Sequence, residues 1–300
     1  MKIVVSTLLF ISSLAAYNVH VSDLNISNGR TLFVEFKKEK DVVYEKIVVD
    51  KKSYRVFTHP LDKEKMYALV AINYDEKPSS KKIEICYKEK NSNLTKNMFI
   101  KIEDGNYEKE QIEVEKSKVN PNGENQKRAE KEHKEAMDIY NSTTEQSYIK
   151  SEFTLPMESK ITSTFGKARV YNGSLKGYHG GTDFRANVGS PIYACNDGVV
   201  VMAKDRFYSG GTVIIDHGHG VYTCYFHMSK FDVKSGQKIK KSAPLGLSGV
   251  SGRVTGPHLH FGVRVAGIQV DPLQFIATLN NNLFLKSTSA LGVPPREAKR

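Results

Sequence analysis

Apolar and polar residues alternate with a period of two over short stretches of the N-terminal part of the chain. Charged or turn-forming clusters separate these stretches, which are 32–36, 43–49, 54–57, 67–72, 83–87 and 98–102. Such alternation is typical of strands that have one buried and one solvated face. The pattern predicts an Ig-like antiparallel β-sandwich within residues 17–110, and this region carries no recognisable catalytic motif.

The pattern changes between residues 111 and 150. A turn-forming segment, 120–123, precedes a charged run whose few apolar residues are Ala129, Ala136, Met137 and Tyr140. We expect a helix with Asn120 as its N-cap and Pro121 at its first position. Acidic and basic residues are interspersed in the run, which favours a solvated linking helix over a nucleic-acid contact.

Short apolar stretches resume after Phe153 and are accompanied by many more glycine and histidine residues. They are 191–194, 198–202, 212–215, 221–226 and 259–265. We expect a second antiparallel β-sheet domain over 151–280, followed by a flexible tail over 281–300. The predicted fold is therefore mainly β, with one long linking helix between two domains.

The first residues resemble a secretory signal peptide. Met1-Lys2 is followed by an apolar stretch, 3–14, and by Ala15-Ala16 as a cleavage site before Tyr17. A membrane anchor or a buried strand is the alternative, but the stretch is short for a bilayer span. We expect residues 1–16 to be removed and the mature protein to act in the periplasm, and no later stretch has transmembrane length.

The net charge narrows the range of possible binding partners only slightly, and the number of cysteines limits the possible disulfides. The chain contains 44 Lys and Arg against 33 Asp and Glu, a formal net charge of +11. A positive charge favours nucleic acid, acidic membranes and carboxylate-rich wall polymers alike. The 3 cysteines allow at most one intramolecular disulfide, so Cys195 and Cys224 are either bridged or buried free thiols.

Two segments of the C-terminal half place metal-binding side chains close together. In His179-Gly180-Gly181-Thr182-Asp183 the glycines disfavour a helix, so His179 and Asp183 would have to converge through a loop. Taken alone, this segment is better explained as a surface His beside a turn Asp. In His258-Leu259-His260 a strand would point both imidazoles to one face, where they bind something or form a core pair bonded to the backbone.

A third segment contributes one more imidazole. Alternation along 223–229 places His227 on the face of Thr223 and Tyr225, at the end of a strand. The three segments supply four imidazoles and one carboxylate, whereas a catalytic zinc takes three protein ligands and leaves one position for water. The other two imidazoles could accept a proton and stabilise an oxyanion, but spacing does not assign the roles.

A neighbouring segment also contains two histidines. His217 and His219 lie in Asp216-His217-Gly218-His219-Gly220, between two predicted strands. We interpret this segment as a hairpin turn with a structural role rather than as a second metal cluster.

From about Phe153 to Phe275 the chain resembles the lysostaphin-type (LytM-like) zinc metallopeptidases that hydrolyse peptidoglycan. The matching stretches occur in the family's order and are 179–183, 193–194 with 197–200, 216–218, 225–229 and 255–261. The resemblance implies a groove-bearing β-sheet domain that binds one Zn²⁺ through His179, Asp183 and His260. It also implies that His227 and His258 are the catalytic histidines.

The resemblance extends to a substrate class. The signal peptide and the accessory region before the groove resemble those of Gram-negative members, which implies a D,D-endopeptidase for D-Ala–diaminopimelate crosslinks, and secondarily a D,D-carboxypeptidase. Peptidoglycan stem peptides are then the partners, nucleic acid is not, and wall remodelling or cell shape is the expected role. The accessory region is expected to limit which peptides enter. An inactive adaptor of the same fold and a basic polyanion-binding protein are the alternatives.

Overall fold

The computed structural model describes residues 19–173 and 175–285, so the predicted signal peptide over 1–16 lies outside the described residues. The strands of the N-terminal domain are β1 (Val19–Val21), β2 (Asn25–Ser27), β3 (Thr31–Lys37), β4 (Val42–Val49), β5 (Lys52–Arg55), β6 (Phe57–Thr58), β7 (Lys65–Ala71), β8 (Ser79–Glu89) and β9 (Ser92–Glu103). They form two sheets, with the orders β1-β3-β7-β6 and β2-β9-β8-β4-β5. The predicted sandwich is thus present, although β2 pairs with β9 in parallel.

The sandwich is more buried than a free-standing domain with solvated outer faces. Strands β3 and β7 are buried along most of their length rather than on alternate residues. One face of each strand fills the sandwich core, where Phe36 stacks on Tyr44 of the other sheet at 4.5 Å between ring centroids. The expectation of a half-solvated sheet is wrong for these two strands, because they also pack against the C-terminal domain.

The linker begins with a strand that belongs to the second domain. Strand β10 (Lys109–Ile112) follows the sandwich and pairs in parallel with β12 (Ala168–Tyr171). The last strand of the sandwich thus ends at Glu103, and the next strand along the chain belongs to the small sheet of the second domain.

A 3₁₀ turn (Lys116–Lys118) leads into helix α1 (Gly123–Tyr140). The N-cap of α1 is Asn122, whose side chain accepts from the backbone N–H of Asn125, so the prediction of Asn120 as cap is wrong by two residues. Ala136 and Tyr140 are its buried residues, and they pack against Tyr222 and Cys224 on the sheet below. The thin apolar face is enough to hold a helix that is otherwise solvated.

The C-terminal domain is built on one large sheet. Besides β12, its strands are β11 (Ile161–Ser163), β13 (Leu175–Tyr178), β14 (Thr182–Arg185), β15 (Pro191–Tyr193), β16 (Gly198–Arg206), β17 (Gly210–Asp216), β18 (Val221–Phe231), β19 (Lys238–Ile239), β20 (Pro244–Ser248), β21 (His258–Val265) and β22 (Ile268–Val270). The main path is β11-β14-β21-β18-β17-β16-β19, and every pair along it is antiparallel. Strands β10, β12 and β13 form a separate small sheet at one side.

The end of the described chain is ordered against the body of the protein. Helix α2 (Pro272–Leu279) is followed by a π-helical turn (Asn280–Phe284) in which Leu283 is buried. The flexible tail predicted over 281–300 therefore starts too early, because an apolar side chain anchors this turn; residues 286–300 lie outside the described part. None of the helices in the described part of the chain has the length and apolar character that a bilayer crossing requires.

The two domains dock through specific hydrogen bonds as well as apolar contact. The side chain of Gln274 bonds both the N–H and the C=O of Thr31, at 2.9 and 2.8 Å. The ring of His219 stacks on Phe57 at 4.0 Å, and its Nδ1 lies 2.7 Å from the hydroxyl of Tyr67. Contacts of this kind fix the sandwich to the second domain.

Candidate metal centre and its groove

The first candidate pair converges through a loop, as its glycines predict. His179 follows β13 in an irregular segment, and Asp183 is the second residue of β14. Their side chains meet with His179 Nε2 2.8 Å from Asp183 Oδ1. The imidazole is fixed from behind, because its Nδ1 donates to the carbonyl of Thr164 at 2.7 Å. The ring therefore presents Nε2 to the site.

Sheet register brings the second pair to the same place. Strand β14 pairs with β21 so that Asp183 lies opposite His260 and Arg185 lies opposite His258. Leu259, between the two histidines, is fully buried on the other face. His260 Nδ1 lies 2.9 Å from Asp183 Oδ1 and 3.0 Å from His179 Nε2. The prediction that His258 and His260 share a face is confirmed.

His227 reaches the site by a route that alternation does not predict. Thr223 and Tyr225 are buried on the core face, whereas Phe226 stacks flat on His260 at 5.3 Å between centroids. The register of β17 and β18 shifts at this point, and His227 has φ of 64°. This β-bulge turns His227 to the side of Phe226, so the predicted facing is wrong. The His227 ring lies 4.8 Å from that of His258.

His227 and His258, the two histidines outside the cluster, are oriented by backbone carbonyls, as His179 is. Nδ1 of His227 donates to the carbonyl of Ser251, and Nδ1 of His258 donates to the carbonyl of Gly256, both at 2.8 Å. Each anchored Nδ1–H fixes the neutral tautomer and leaves a lone pair on Nε2. His258 Nε2 lies 3.7 Å from Asp183 Oδ1, so this lone pair borders the cluster.

Burial shifts the pKa of the acid at the site and the pKa values of its histidines in opposite directions. Burial raises the pKa of the Asp183 carboxyl, but the close imidazoles of His179 and His260 outweigh it and hold that pKa well below its usual range. Burial lowers the pKa of His227 to about 3 and that of His260 to about 4. An ionised carboxylate beside neutral imidazoles is the protonation state that metal ligation requires.

The cluster fits a metal ion. His179, Asp183 and His260 each offer one ligand atom, and these atoms lie within 4.8 Å of one another. Gly181 makes room for this arrangement, because a Cβ there would stand 2.6 Å from His260 Nε2 and 2.4 Å from the carbonyl oxygen of Phe261. Two imidazoles and one carboxylate form a ligand set that catalytic zinc sites use, with the remaining position open to water.

A pocket of about 520 Å³ opens on Asp183 and His258. Its walls come from β10, from the segment 255–257 and from Arg169 of β12. Nη2 of Arg169 lies 3.4 Å from Asp183 Oδ2, and its Nε donates to Glu110 of β10 at 2.5 Å. Sequence reasoning missed Arg169 and Glu110, because no local pattern distinguishes them from other charged residues on strands.

The remaining histidines and cysteines of this domain lie outside the cluster. His217 and His219 occupy the turn between β17 and β18, as predicted, and both are buried with hydrogen bonds to neighbouring segments. Cys195 and Cys224 are buried free thiols, which excludes the alternative of a bridge between them. His20, His59 and His133 are not members of the cluster either.

Fold and site together define a metallopeptidase: a β-sheet groove with a His/Asp/His ligand set and two further histidines.

Residues 177–272 match peptidase family M23. The chain is 43% identical over 122 residues to the peptidoglycan DD-endopeptidase ShyA of Vibrio cholerae, covering 40% of this chain and 28% of that protein. It is 38% identical over 95 residues to the DD-carboxypeptidase/endopeptidase Mpg of Neisseria meningitidis, covering 32% of this chain and 22% of that protein.

A solved structure matches over both domains. The crystal structure of a peptidase M23 from Pseudomonas aeruginosa is 26% identical, with a TM-score of 0.63, and the match covers 82% of this chain and 93% of that one. The chain thus spans less than a third of the curated relatives it matches but nearly all of this structure. The chain contains a metallopeptidase domain of family M23, whose cofactor is Zn²⁺.

Proposed function

We propose that the protein is an active peptidoglycan hydrolase that cleaves D-Ala–diaminopimelate crosslinks and also removes the terminal D-Ala of pentapeptides. The observation that carries the proposal is the complete constellation: the cluster of His179, Asp183 and His260 has His258 Nε2 at 3.7 Å from Asp183 Oδ1, and the ring of His227 lies 4.8 Å from that of His258. An inactive adaptor needs none of this geometry, and a polyanion-binding protein leaves it without a purpose. The similarity to ShyA, a peptidoglycan DD-endopeptidase, and to Mpg, a DD-carboxypeptidase/endopeptidase, supports this substrate class.

In the proposed mechanism, His179, Asp183 and His260 would hold a Zn²⁺ ion beside the groove. A bound Zn²⁺ supplies Lewis-acid polarisation of a carbonyl and a lowered pKa of water. Because Nδ1 of His227 and Nδ1 of His258 each donate to a backbone carbonyl, the lone pair of each neutral ring is on Nε2, which can accept a proton from an attacking water. Once protonated, the same atom can donate to the developing oxyanion or to the leaving nitrogen.

The two proposed bonds share a chemical feature on the leaving side. In D-Ala–D-Ala and in D-Ala–diaminopimelate, the carbon that bears the leaving nitrogen also carries a free carboxylate. A cation that binds this carboxylate would accept both substrates and reject peptides without it.

Arg185 supports this part of the proposal. It follows Asp183 by two residues in β14, so its side chain starts on the same face, roughly 7 Å further along the strand, opposite His258. It is exposed and makes no side-chain hydrogen bond or ion pair within the described residues. Arg185 also lines a pocket of about 560 Å³ together with Leu155, Glu158 and Tyr193, which leaves room for the rest of a peptide.

The function is tested with the protein beginning at Tyr17 and diaminopimelate-type peptidoglycan. Crosslinked dimers should be converted to tetrapeptide monomers, as followed by chromatography, and a chelator should stop the reaction. Unchanged dimers alongside cleavage of pentaglycine would overturn the proposal. Intact-mass measurement of the protein from its host tests the periplasmic assignment, which fails if residues 1–16 are retained.

The role of Arg185 is tested with matched pentapeptides that end in D-Ala–D-Ala as the free acid or as the amide. The native enzyme should prefer the acid by roughly tenfold to a hundredfold in kcat/KM, since a charge-assisted hydrogen bond contributes about 1.5–3 kcal/mol. Arg185→Gln should lose this preference, whereas Lys234→Gln, an equal charge change on an exposed turn, should keep it. An undiminished preference in Arg185→Gln would contradict the assignment.

A further inference from the structure

The two oxygens of Asp183 have different surroundings. Oδ1 faces the imidazoles, at 2.8 Å from His179 Nε2 and 2.9 Å from His260 Nδ1. Oδ2 faces away from them, toward Nη2 of Arg169 at 3.4 Å. An ion held by the three ligands would therefore meet Oδ1, while Oδ2 is engaged by the guanidinium.

Arg169 is itself held in place. Its side chain is 14% exposed, its Nε donates to Glu110 Oε1 at 2.5 Å, and its Nη2 also lies 3.3 Å from Ser163 Oγ. Glu110 is on β10, the first strand of the linker, and the parallel pairing of β10 with β12 places Glu110 directly beside Arg169. The chain of contacts therefore runs from the linker to a proposed metal ligand.

We propose that Arg169 is a positioning residue that fixes Asp183 as a one-oxygen ligand, and that Glu110 makes the linker strand part of the metal site. The inference rests on the proposed role of Asp183 as a ligand. A cation beside a metal ligand would by itself oppose the binding of Zn²⁺, but Glu110 offsets the charge of Arg169. Arg169 can then orient the carboxylate with little electrostatic cost, in the way that outer partners commonly orient metal ligands.

The linker thereby does more than connect the two domains. An M23 domain that lost contact with β10 would keep its three ligands yet bind Zn²⁺ less tightly, because Asp183 Oδ2 would be unconstrained and the charge of Arg169 would be unpaired. Docking of the linker and metal occupancy are coupled in this arrangement.

Zinc affinity of the full mature chain tests the proposal, measured by competition with a chromophoric chelator in the absence of substrate. Arg169→Met and Glu110→Gln should each weaken Zn²⁺ binding by about tenfold to a hundredfold. The double variant should bind Zn²⁺ no more weakly than Arg169→Met alone, because both changes interrupt one chain of contacts.

The neighbouring ion pair provides matched controls. Lys167 Nζ lies 3.1 Å from Glu108 Oε2, with Glu108 on the chain just before β10 and Lys167 just before β12. Lys167 also lies 3.9 Å from Glu110, and its ion pairs do not include Asp183. Lys167→Met and Glu108→Gln make the same charge changes and should leave zinc affinity within about twofold of the native value.

Thermal unfolding separates positioning from a merely structural role. If Arg169→Met unfolds, Arg169→Lys serves instead, because one ammonium retains the charge but cannot span Glu110, Ser163 and Asp183 together. Zinc affinity of a folded Arg169 variant equal to that of Lys167→Met would overturn the inference. Asp183→Asn distinguishes the two proposals: native affinity in that variant would refute the ligand assignment itself, whereas weakened affinity there with native affinity in Arg169→Met refutes only this inference.

Discussion

At the scale of single residues, the hydrogen-bond partner of each imidazole Nδ1 determines which ring nitrogen faces the site. Backbone carbonyls accept from Nδ1 of His179, His227 and His258, so in each case Nε2 is the atom presented to the groove. His260 is the exception, since its Nδ1 faces Asp183. Histidines on different segments therefore face the site with different ring nitrogens.

The two proposed catalytic histidines should behave differently from the proposed metal ligands. His227→Ala and His258→Ala should retain Zn²⁺ but lose activity by on the order of a hundredfold or more, because proton transfer and oxyanion stabilisation contribute effects of that size. Metal analysis and kinetics on the same preparations check this. Loss of metal in His258→Ala with metal kept in His260→Ala would show that the two roles are reversed.

Gly181 is the position at which a single methyl group should damage the metal site. Gly181→Ala would place Cβ 2.6 Å from His260 Nε2 and 2.4 Å from a backbone oxygen, so the ring or the strand must move. We expect weaker Zn²⁺ binding and a lower unfolding temperature. Gly262→Ala on β21 is the control, since its Cβ would meet no atom closer than 3.6 Å, and equal zinc affinity in the two variants would refute the argument.

At the scale of elements, the turn between β17 and β18 contains a buried base. His217 is fully buried between the carbonyl of Asp197 and the hydroxyl of Thr223, at 2.7 and 2.8 Å. Burial lowers its pKa to about 4. The turn is therefore stable only while this imidazole is neutral.

This burial predicts a pH dependence of stability. In the unfolded chain His217 takes up a proton near pH 6.5, but in the folded protein only near pH 4, so its contribution is complete above pH 6.5 and is lost as the pH falls to 4. The loss amounts to about 3 kcal/mol. Urea unfolding of the native protein and of His217→Asn should converge across this range, and parallel curves would contradict the prediction.

At the scale of the whole molecule, the linker is tied to two separate parts of the C-terminal domain. The side chain of Asn172, after β12, bonds both the N–H and the C=O of Val114, at 2.8 and 2.9 Å. Lys118 then donates to the carbonyl of Phe207 on the opposite side, beside the turn whose Ser209 carbonyl accepts from the N–H of His227. We infer that the segment between Val114 and Lys118 restricts the peptides that enter.

Loosening this segment should change substrate preference. Asn172→Gly removes both hydrogen bonds to Val114 and tolerates the φ of 47° found there. With Zn²⁺ saturating, cleavage of crosslinked dimers should rise several-fold relative to that of a short pentapeptide, measured as a ratio of kcat/KM values. Gly173→Ala, which meets no atom within 4 Å, controls for strain in the same turn, and an unchanged ratio in Asn172→Gly would refute the restriction.

What the sequence determined by itself is local. Period-two alternation located the strands of both domains, and the spacing of His258 and His260 placed them on one face, because facing within a strand depends only on backbone geometry. The identities and order of the His and Asp residues were enough to indicate a zinc peptidase. The charged run with its thin apolar face was enough to indicate α1.

Tertiary structure decided the contacts between distant segments. The bulge that turns His227 depends on the register of β18 against β17, and the meeting of Glu110, Arg169 and Asp183 depends on which strand β10 joins. Burial of β3 and β7 on both faces likewise depends on the docking of the second domain. Sheet register and domain packing are set by the sum of many apolar contacts, so no local pattern encodes them.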